Sequence, residues 1–412
     1  AARERLRTEA QRFGLAVDAD ARVGDLSVGE RQRVEILTAA QRLSESIRGA
    51  KEKLPVEEGV KAGIPEQAQT LHRLLGAQGD TGRYRHDADN PLSCDVLLVD
   101  EASMIDLALM HAVLKALPED TCLILLGDRD QLASVEAGSV FGDLCAAQGM
   151  SVTLCAQLAP YGISITPQTA SSPMADCRVE LVRSYRFSAD SGIGAAARAS
   201  REGDVEMFLQ ALANSPDLSR CSPAQLPAQM EHGYAAYRES ARQGNPASAF
   251  AAFLRFRVLC AHRQGAAGVE GLNTLMEAGR SPWYAGRPVI IRANDYALRL
   301  FNGDIGLCLP TADGLRVFFE TSPGIFRALA PGRLPVHESA WAMTVHQSQG
   351  SEFDDVLLVL PELVTPVLDR PLIYTAVTRA KSRFVLCGEE GVLKAALATL
   401  PQRESGLVEK LV

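Results

Sequence analysis

The chain has 412 residues and a formal net charge of −8. One hydrophobic core rarely holds so long a chain, so we expect two or three domains. A hydrophobic fraction of 47% with 22% charged residues is typical of a soluble globular protein. The acidic balance gives no sign of a nucleic-acid-binding protein. It does not exclude one, because a local basic groove can lie on an acidic surface.

The sequence predicts no membrane span and no metal or disulfide framework. No uninterrupted apolar stretch is long enough to cross a bilayer, and the charged residues 1–7 do not resemble a secretory signal. The nine cysteines are scattered without a Cys-x-x-Cys, and there is no His-Glu-x-x-His. We therefore expect reduced thiols in a cytoplasmic protein.

Residues 1–38 are predicted to be a helical segment of their own. The run around Ser27, Gly29 and Glu30 resembles the signature motif of ABC-transporter ATPases, in which a Ser and a Gly at a helix N-terminus cap a γ-phosphate. The alternative is structural, because Ser27 and Glu30 also form a capping box that starts an amphipathic helix. An ABC domain needs its acidic strand soon after Leu37, whereas the acidic cluster here comes only at Asp100.

The most informative part of the chain is a predicted strand–helix–strand unit. Residues 94–99 and 121–126 are short apolar runs, which is typical of strands buried on both faces of a parallel sheet. Residues 104–117 between them have apolar positions at helical spacing. Each run ends in a polar cluster, Asp-Glu-Ala-Ser at 100–103 and Gly-Asp-Arg-Asp-Gln at 127–131. Both clusters should therefore lie at the carboxyl edge of one sheet, where α/β proteins bind ligands.

These clusters carry the residue types that nucleotide hydrolysis needs. Asp100 can hold a magnesium ion through water, and Glu101 can polarise the water that attacks a γ-phosphate. Gln131 can contact that phosphate and report its loss. The structural alternative is two surface carboxylates and a turn glutamine.

The middle of the chain is predicted to connect two α/β domains. Residues 148–180 are rich in Ser, Thr, Pro and Ala and are expected to form an inserted loop or linker. Residues 188–253 are expected to be a helical linker region, with polar interruptions near Ser215 and Cys221.

A second α/β domain is predicted over residues 254–412, beginning with an apolar strand at 256–261. Short strands at 288–292, 307–309 and 315–319, separated by Asn-Gly and Asp-Gly turns, indicate an SH3-like β-barrel insertion at about 285–338. Residues 341–353 are predicted to begin a helix rich in small polar donors. Buried strands are expected at 356–360 and 384–387.

Two later arginines suit a γ-phosphate. A guanidinium donates to two oxygens at once and keeps its charge, so Arg186 and Arg379 are candidates to stabilise that group. For either arginine alone, the alternative is a solvated surface charge.

In this order, the motifs resemble those of superfamily-one DNA helicases with two RecA-like domains, and in particular the family of RecD subunits of the RecBCD enzyme, exodeoxyribonuclease V. The resemblance runs from about residue 40 to the end of the chain. It is carried by residues 70–76, 99–106, 127–138, 184–187, 301–306, 342–346 and 374–379.

The resemblance implies an α/β fold with two RecA-like parallel-sheet domains, a partial first one at residues 39–187 and a second at 254–412. It implies an ATP- and Mg²⁺-dependent motor moving 5′→3′ on DNA in double-strand-break repair and recombination. The implied partners are single-stranded or duplex-end DNA and RecB- and RecC-like subunits.

The resemblance also implies a role for individual residues. Asp100 and Glu101 would serve magnesium binding and water activation, and Gln131, Arg186 and Arg379 the γ-phosphate. Gln349, Gly350 and Glu352 would border the nucleotide, with Glu352 near the ribose. The DNA track would include Thr70, His72, Arg73, Thr344 and His346. Gln347 stands where the family usually has lysine, which weakens one expected contact to the DNA backbone.

The family's phosphate-binding loop, Gly-x-x-x-x-Gly-Lys-Ser/Thr, is not found, since none of the lysines follows a glycine. The first domain is therefore expected to be truncated at its N-terminus, and the chain alone to hydrolyse ATP weakly or not at all. Two alternatives stay open. One is a catalytically impaired motor remnant that binds DNA or a partner, and the other is an ABC-type ATPase, which the residues after 40 disfavour.

Overall fold

The structure is a computed structural model that describes residues 69–78, 83–134, 138–146, 149–161, 173–181, 188, 190–322 and 324–401. The predicted segment 1–38 and Arg186 lie outside the described residues. The described residues divide into two compact units, one from the ranges 69–129 and 133–181, the other from the ranges 130–132 and 188–401. Within the described residues, every helix is too short or too polar to cross a membrane.

The first unit contains the predicted strand–helix–strand. Its described elements are α1 Leu71–Leu74, β1 Val96–Val99, α2 Leu107–Ala116, β2 Cys122–Leu125, α3 Val140–Leu144 and α4 Val152–Leu158. β1 and β2 pair in parallel, with Val96 opposite Cys122 and Val99 opposite Leu125. This confirms that both polar clusters follow strands of the same sheet at its carboxyl edge.

Local capping sets where two helices of this unit begin. The prediction starts the first at residue 104, but α2 begins at Leu107 because Asp106 accepts a hydrogen bond from the Leu109 amide at 2.7 Å. Met104 belongs instead to a short 3₁₀ turn, Ala102–Met104. The prediction of a loop or linker at 148–180 is wrong for α4, which Ser151 caps by accepting from the Leu154 amide at 3.0 Å.

The second unit contains a parallel sheet and an antiparallel sheet. Its helices are α5 Gly192–Glu202, α6 Val205–Asn214, α7 Leu226–Gly233, α8 Ala235–Arg242, α9 Pro246–Phe253, α10 Val269–Glu277, α11 Arg370–Thr378 and α12 Glu390–Ala398. The strands are β3 Leu218–Cys221, β4 Phe256–Cys260, β5 Pro288–Ile291, β6 Ile305–Thr311, β7 Gly314–Ser322, β8 Ile325–Leu329, β9 His337–Ser339, β10 Ala342–Thr344, β11 Phe353–Val359 and β12 Ala380–Cys387.

The parallel sheet has the order β10-β4-β11-β12-β3 and is covered on both faces. One apolar cluster includes Ile193, Phe208 and Leu372. The other includes Tyr234 and Phe253. Burial on both faces explains why these strands read as continuous apolar runs.

Each of two local expectations for this unit misses a strand. The predicted helical linker at 188–253 contains β3, an edge strand that pairs in parallel with β12. With Ser219 and Arg220 at its centre, β3 has no apolar run to mark it. The helix predicted to begin within residues 341–353 is instead β10, paired with β4, followed by a 3₁₀ turn at His346–Ser348. In both places pairing with a distant strand overrides the local pattern.

The insertion is an antiparallel sheet with the order β8-β7-β6-β5-β9. The three predicted strands are present as β5, β6 and β7, and β8 and β9 extend the sheet. Gly303 and Gly314 have positive φ of 99° and 102°, so both predicted turns need glycine. The hydrogen-bonded order ends at β8 and β9, and closure into an SH3-like barrel therefore stays a prediction.

Candidate functional site

The acidic cluster of the first unit sits on a tight turn directly after β1. Glu101 adopts a left-handed conformation, with φ 52° and ψ 41°, which is uncommon for a residue other than glycine. Asp100 Oδ1 accepts a hydrogen bond from the Glu101 amide at 2.8 Å. The Ala102 amide donates to the Leu126 carbonyl at 2.8 Å, and Ala102 is fully buried. The turn that carries both carboxylates is therefore held by the core beneath it.

The second polar cluster lies against the first. A Cβ built on Gly127 would lie 3.1 Å from the Ser103 amide nitrogen and 3.0 Å from the Phe141 ring. Both distances are tighter than ordinary packing, so a Cβ at this position would require its neighbours to move by a few tenths of an ångström. The expectation that the two clusters meet at one sheet edge is therefore confirmed for residues 100–103 and Gly127.

The residues present at this edge fit a hydrated magnesium ion. The described residues contain no group of three or more His, Cys, Asp or Glu side chains that could enclose a metal. Magnesium does not need such a cage, because it keeps several waters and binds one or two carboxylates together with substrate phosphates. Asp100 uses Oδ1 for the Glu101 amide, which leaves Oδ2 available to such an ion.

Gln131 directly precedes a buried leucine of the second unit. Residues Asp130–Leu132 belong to the second unit. Leu132 is 2% exposed, its amide donates to Thr375 Oγ1 at 2.9 Å, and its carbonyl accepts from Gln349 Nε2 at 2.6 Å. Gln131 therefore adjoins a network that includes the predicted nucleotide residue Gln349.

Arg379 belongs to the same network. Its side chain is 1% exposed, so the alternative of a solvated surface charge is wrong for this residue. Nε donates to the Thr375 carbonyl at 3.3 Å and Nη1 to the Ser351 carbonyl at 3.1 Å. Its own carbonyl accepts from the Phe353 amide at 2.9 Å. Arg379 thus joins the end of α11 to the segment that leads into β11.

Gly350 and Glu352 lie on that segment. Gly350 has φ 74°, a conformation that favours glycine. Glu352 forms an ion pair with Lys381 at the start of β12, and both side chains are partly exposed. The structure therefore brings Gln131, Gln349, Gly350, Glu352 and Arg379 together in the second unit.

Thr344 is the last residue of β10, and His346 follows it at the carboxyl edge of the parallel sheet. Gln347 accepts from the Thr344 amide at 3.2 Å, and Thr344 Oγ1 accepts from the Gln347 amide at 3.2 Å. Gln347, the residue that departs from the family pattern, therefore closes the turn that carries both predicted DNA contacts.

The other three predicted DNA contacts lie on α1 in the first unit. Thr70 caps this helix, its Oγ1 accepting from the Arg73 amide at 3.4 Å. Leu75 is fully buried, whereas His72 and Arg73 are exposed. The His72 ring lies 6.1 Å from that of Tyr84. The short helix is thus anchored on one side and presents a ring and a guanidinium to solvent.

The segment that joins β9 to β10, residues 339–342, is hydrogen-bonded by three side chains that the sequence did not single out. Asn273 Oδ1 accepts from the Trp341 amide at 3.0 Å and the Ala342 amide at 3.1 Å. Asn273 Nδ2 donates to the Ser339 carbonyl at 2.6 Å. The sequence signal for this contact is an asparagine among the apolar positions of α10. A polar side chain at such a position needs hydrogen-bond partners in the core.

Tyr234 and Arg257 hold the same link from the other side. The Tyr234 hydroxyl donates to the Trp341 carbonyl, and Arg257 Nη1 donates to the Ala340 carbonyl at 3.2 Å. The Arg257 guanidinium lies 4.1 Å from the centre of the Phe253 ring, and burial lowers its pKa. These contacts set the position of β10 and hence of Thr344.

Comparison with known proteins gives two family matches. The model described as "AAA domain" matches residues 27–137, and "UvrD-like helicase C-terminal domain" matches residues 339–387. The first match covers the acidic cluster and starts inside the segment predicted to stand apart. The second covers β10, Gln349, Arg379 and the strands around them.

Curated relatives agree along most of the chain. It is 37% identical over 413 residues to "RecBCD enzyme subunit RecD" of Haemophilus influenzae, covering 90% of this chain and 63% of the relative. It is 38% identical over 393 residues to the protein of that name in Mycolicibacterium smegmatis, covering 90% and 64%. The chain therefore spans just under two thirds of the length of these relatives.

The chain is also similar to one further helicase sequence and to a solved helicase structure. The chain is 31% identical over 356 residues to "ATP-dependent RecD2 DNA helicase" of Deinococcus radiodurans, covering 84% of this chain and 43% of that protein. A solved structure of Pif1 helicase from Bacteroides with ADP-AlF3 and ssDNA matches with a TM-score of 0.46 and 15% identity, covering 85% of this chain and 84% of that one.

Proposed function

We propose, from its similarity to RecD subunits of RecBCD enzymes along most of its length, that this chain is an ATP-dependent 5′→3′ DNA helicase subunit. Two observations, one in each unit, support the proposal. Asp100 and Glu101 lie on an ordered turn after β1. The buried Arg379 donates to the Thr375 carbonyl, Thr375 accepts from the Leu132 amide, and Leu132 accepts from Gln349. The proposed setting is a RecBCD-type exonuclease V with RecB- and RecC-like partners, acting at double-strand breaks.

The acidic pair has two tasks in this proposal. Asp100 binds a magnesium ion, which when present neutralises charge on the phosphates of ATP. Glu101 orients and polarises the attacking water by accepting its proton. The left-handed turn at Glu101 supports these two separate roles. One oxygen of Asp100 accepts from the Glu101 amide, and the Glu101 carboxylate is the group proposed to contact the water.

The second unit supplies the phosphate contacts. Arg379 stabilises charge on the γ-phosphate, and Gln131 senses whether that phosphate is present. Leu132, bonded to both Gln349 and Thr375, connects the sensor to the helix that ends at Arg379. Arg186 is also proposed to stabilise charge on the γ-phosphate. This assignment rests on the family motif alone.

The remaining residues border the substrates. Gln349, Gly350 and Glu352 are proposed to lie along the nucleotide, with Glu352 near the ribose. The DNA contacts are proposed to be Thr70, His72, Arg73, Thr344 and His346. Such contacts grip a strand by its phosphates and bases without reading its sequence. The exposure of His72 and Arg73 supports this assignment.

A second candidate function is a motor remnant that binds DNA or a partner but does not turn over ATP. One sequence observation favours it, because no Gly-Lys pair is present to build the lysine-bearing phosphate loop. Only the first candidate requires hydrolysis of ATP.

DNA-stimulated ATP hydrolysis separates the two. The assay compares the chain with Glu101→Gln and with the matched control Glu119→Gln, an exposed carboxylate of the same unit. A helicase loses about 10²–10⁴-fold in turnover with Glu101→Gln and nothing with the control. DNA binding without turnover would identify the remnant and contradict the helicase. Failure to bind DNA and to hydrolyse ATP would contradict both the helicase and a DNA-binding remnant.

A further inference from the structure

The connection between β5 and β6, residues 292–304, exposes two aromatic rings. We call it the aromatic loop. Tyr296 is 77% exposed, the highest value among large hydrophobic side chains in the described residues, and Phe301 is 41% exposed. Their ring centroids are 6.1 Å apart at an interplanar angle of 79°. Aromatic side chains bury large areas when they pack, so a solvent-facing pair marks a binding surface.

The loop is held in shape by its own polar side chains. Asp295 Oδ1 accepts from the Leu298 amide at 2.9 Å, and the backbones of Asp295 and Leu300 exchange two hydrogen bonds. Asp304 Oδ2 accepts from the Phe301 amide at 2.8 Å. Leu300 is 1% exposed and anchors the tip to the sheet. Since the rings are pre-positioned, little ordering is needed when a ligand binds.

The loop presents one exposed positive charge, that of Arg299. The carboxylates of Asp295 and Asp304 accept from backbone amides of the loop itself. Arg299 is exposed, has φ 47°, and makes no ion pair with any residue that the structure describes. Arg327 Nη2 donates to the Arg299 carbonyl at 3.4 Å and adds a second guanidinium nearby. An aromatic pair flanked by arginine suits a ligand with flat bases and phosphates.

Two ion pairs that share the Glu338 carboxylate connect the loop to the proposed DNA track. Arg292 Nε lies 3.3 Å from Glu338 Oε1, and Arg263 binds the same carboxylate at 2.7 and 3.2 Å. Arg263 follows β4, whose last residue Cys260 pairs with Thr344. The base of the aromatic loop is therefore tied to the sheet edge that carries Thr344.

We propose that Tyr296 and Phe301 form a stacking platform for bases of single-stranded DNA, with Arg299 contacting the phosphate backbone. This inference rests on the proposed function and extends its DNA track from Thr344 and His346 onto the inserted sheet. Every base has a π-face, so the platform grips the strand without sequence preference.

The test measures equilibrium binding of the full chain to a labelled single strand without nucleotide. Stacking on an aromatic ring predicts that Tyr296→Ala and Phe301→Ala each weaken binding by about 5- to 100-fold. Tyr296→Phe keeps the ring and should bind as the unchanged chain does. The matched control is Ile325→Ala, a side chain on β8 of the same sheet that is 61% exposed. Arg299→Ala should flatten the salt dependence.

A strand of abasic sites distinguishes stacking from charge. It leaves the phosphates in place and removes the bases, so the difference between Tyr296→Ala and the unchanged chain should vanish on it. The proposal is overturned if Tyr296→Ala binds DNA as Ile325→Ala does, as it would were the loop a protein-docking surface. A loss that persists on the abasic strand overturns it too. If the unchanged chain binds no DNA, this inference and the proposed function fail together.

Discussion

Gln349 donates from Nε2 to the carbonyl of Leu132 at 2.6 Å, although the two residues are 217 positions apart. Leu132 follows Gln131, the proposed γ-phosphate sensor, and Gln349 precedes the segment that Arg379 holds. The Leu132 amide is bonded to Thr375 on α11. One buried residue therefore receives side-chain bonds from two elements of the proposed nucleotide-binding machinery.

The first prediction concerns this shared residue. Gln349→Ala and Thr375→Val should each lower the free energy of unfolding by about 1–2 kcal/mol, because each leaves a backbone group of Leu132 without its partner. The double variant should cost less than the sum, since both bonds position the same residue. Denaturant unfolding measures all three. Gln243→Ala, at an exposed site, serves as control, and strict additivity would contradict the shared role.

The second prediction concerns the contact between the two polar clusters. Gly127→Ala places a Cβ 3.0 Å from Phe141 and 3.1 Å from the Ser103 amide. It should destabilise the first unit by about 1–3 kcal/mol and displace the acidic turn. Gly391→Ala is the matched control, since its Cβ meets nothing within 4 Å on α12. Thermal unfolding of both variants checks this, and equal midpoints would show that the clusters do not touch.

The third prediction concerns the grip on β10. Asn273→Ala leaves the buried Trp341 and Ala342 amides without an acceptor, so we expect a loss of about 2–4 kcal/mol in unfolding free energy. Affinity for single-stranded DNA should fall as well, because Thr344 follows directly on this link. Denaturant titration and DNA binding give the two readouts. Asn214→Ala changes an exposed asparagine at the end of α6 and should alter neither.

The fourth prediction concerns alkaline pH. Burial raises the pKa of Cys308 to about 11 and that of Cys260 to about 12. Unfolded thiols ionise near pH 8.5, so the unfolded state releases protons that the folded state keeps. The stability contributed by each thiol is therefore full below that pH and falls by about 1.4 kcal/mol per pH unit until the pH reaches the folded pKa of that thiol.

Unfolding at two alkaline pH values tests this. Cys308→Ala should reduce the loss of unfolding free energy by about 1.4 kcal/mol per pH unit, the contribution of one thiol. Cys122→Ala, at an exposed cysteine, should leave the decline as it is. An unchanged slope in Cys308→Ala would show that this thiol ionises alike in both states.

Some of the site could be predicted because its signals are local. Apolar runs that end in polar clusters place Asp100 and Gly127 at one sheet edge, since parallel strands end on the same side. The same logic located β4, β11 and β12, whose burial on both faces leaves an unbroken apolar run. Asn-Gly and Asp-Gly located two turns because those positions need positive φ.

Other features depend on partners far along the chain. No local pattern separates β3 or β10 from a linker or a helix, because each is stabilised by hydrogen bonds to a distant strand. No pattern shows that Arg379 is buried, that Leu132 packs with α11, or that Asn273 holds Trp341. The sequence by itself determined the chemistry of the site, since residue type and strand order are written in it. The tertiary structure decided which of those groups meet, because contacts between remote residues form only when the sheets are assembled.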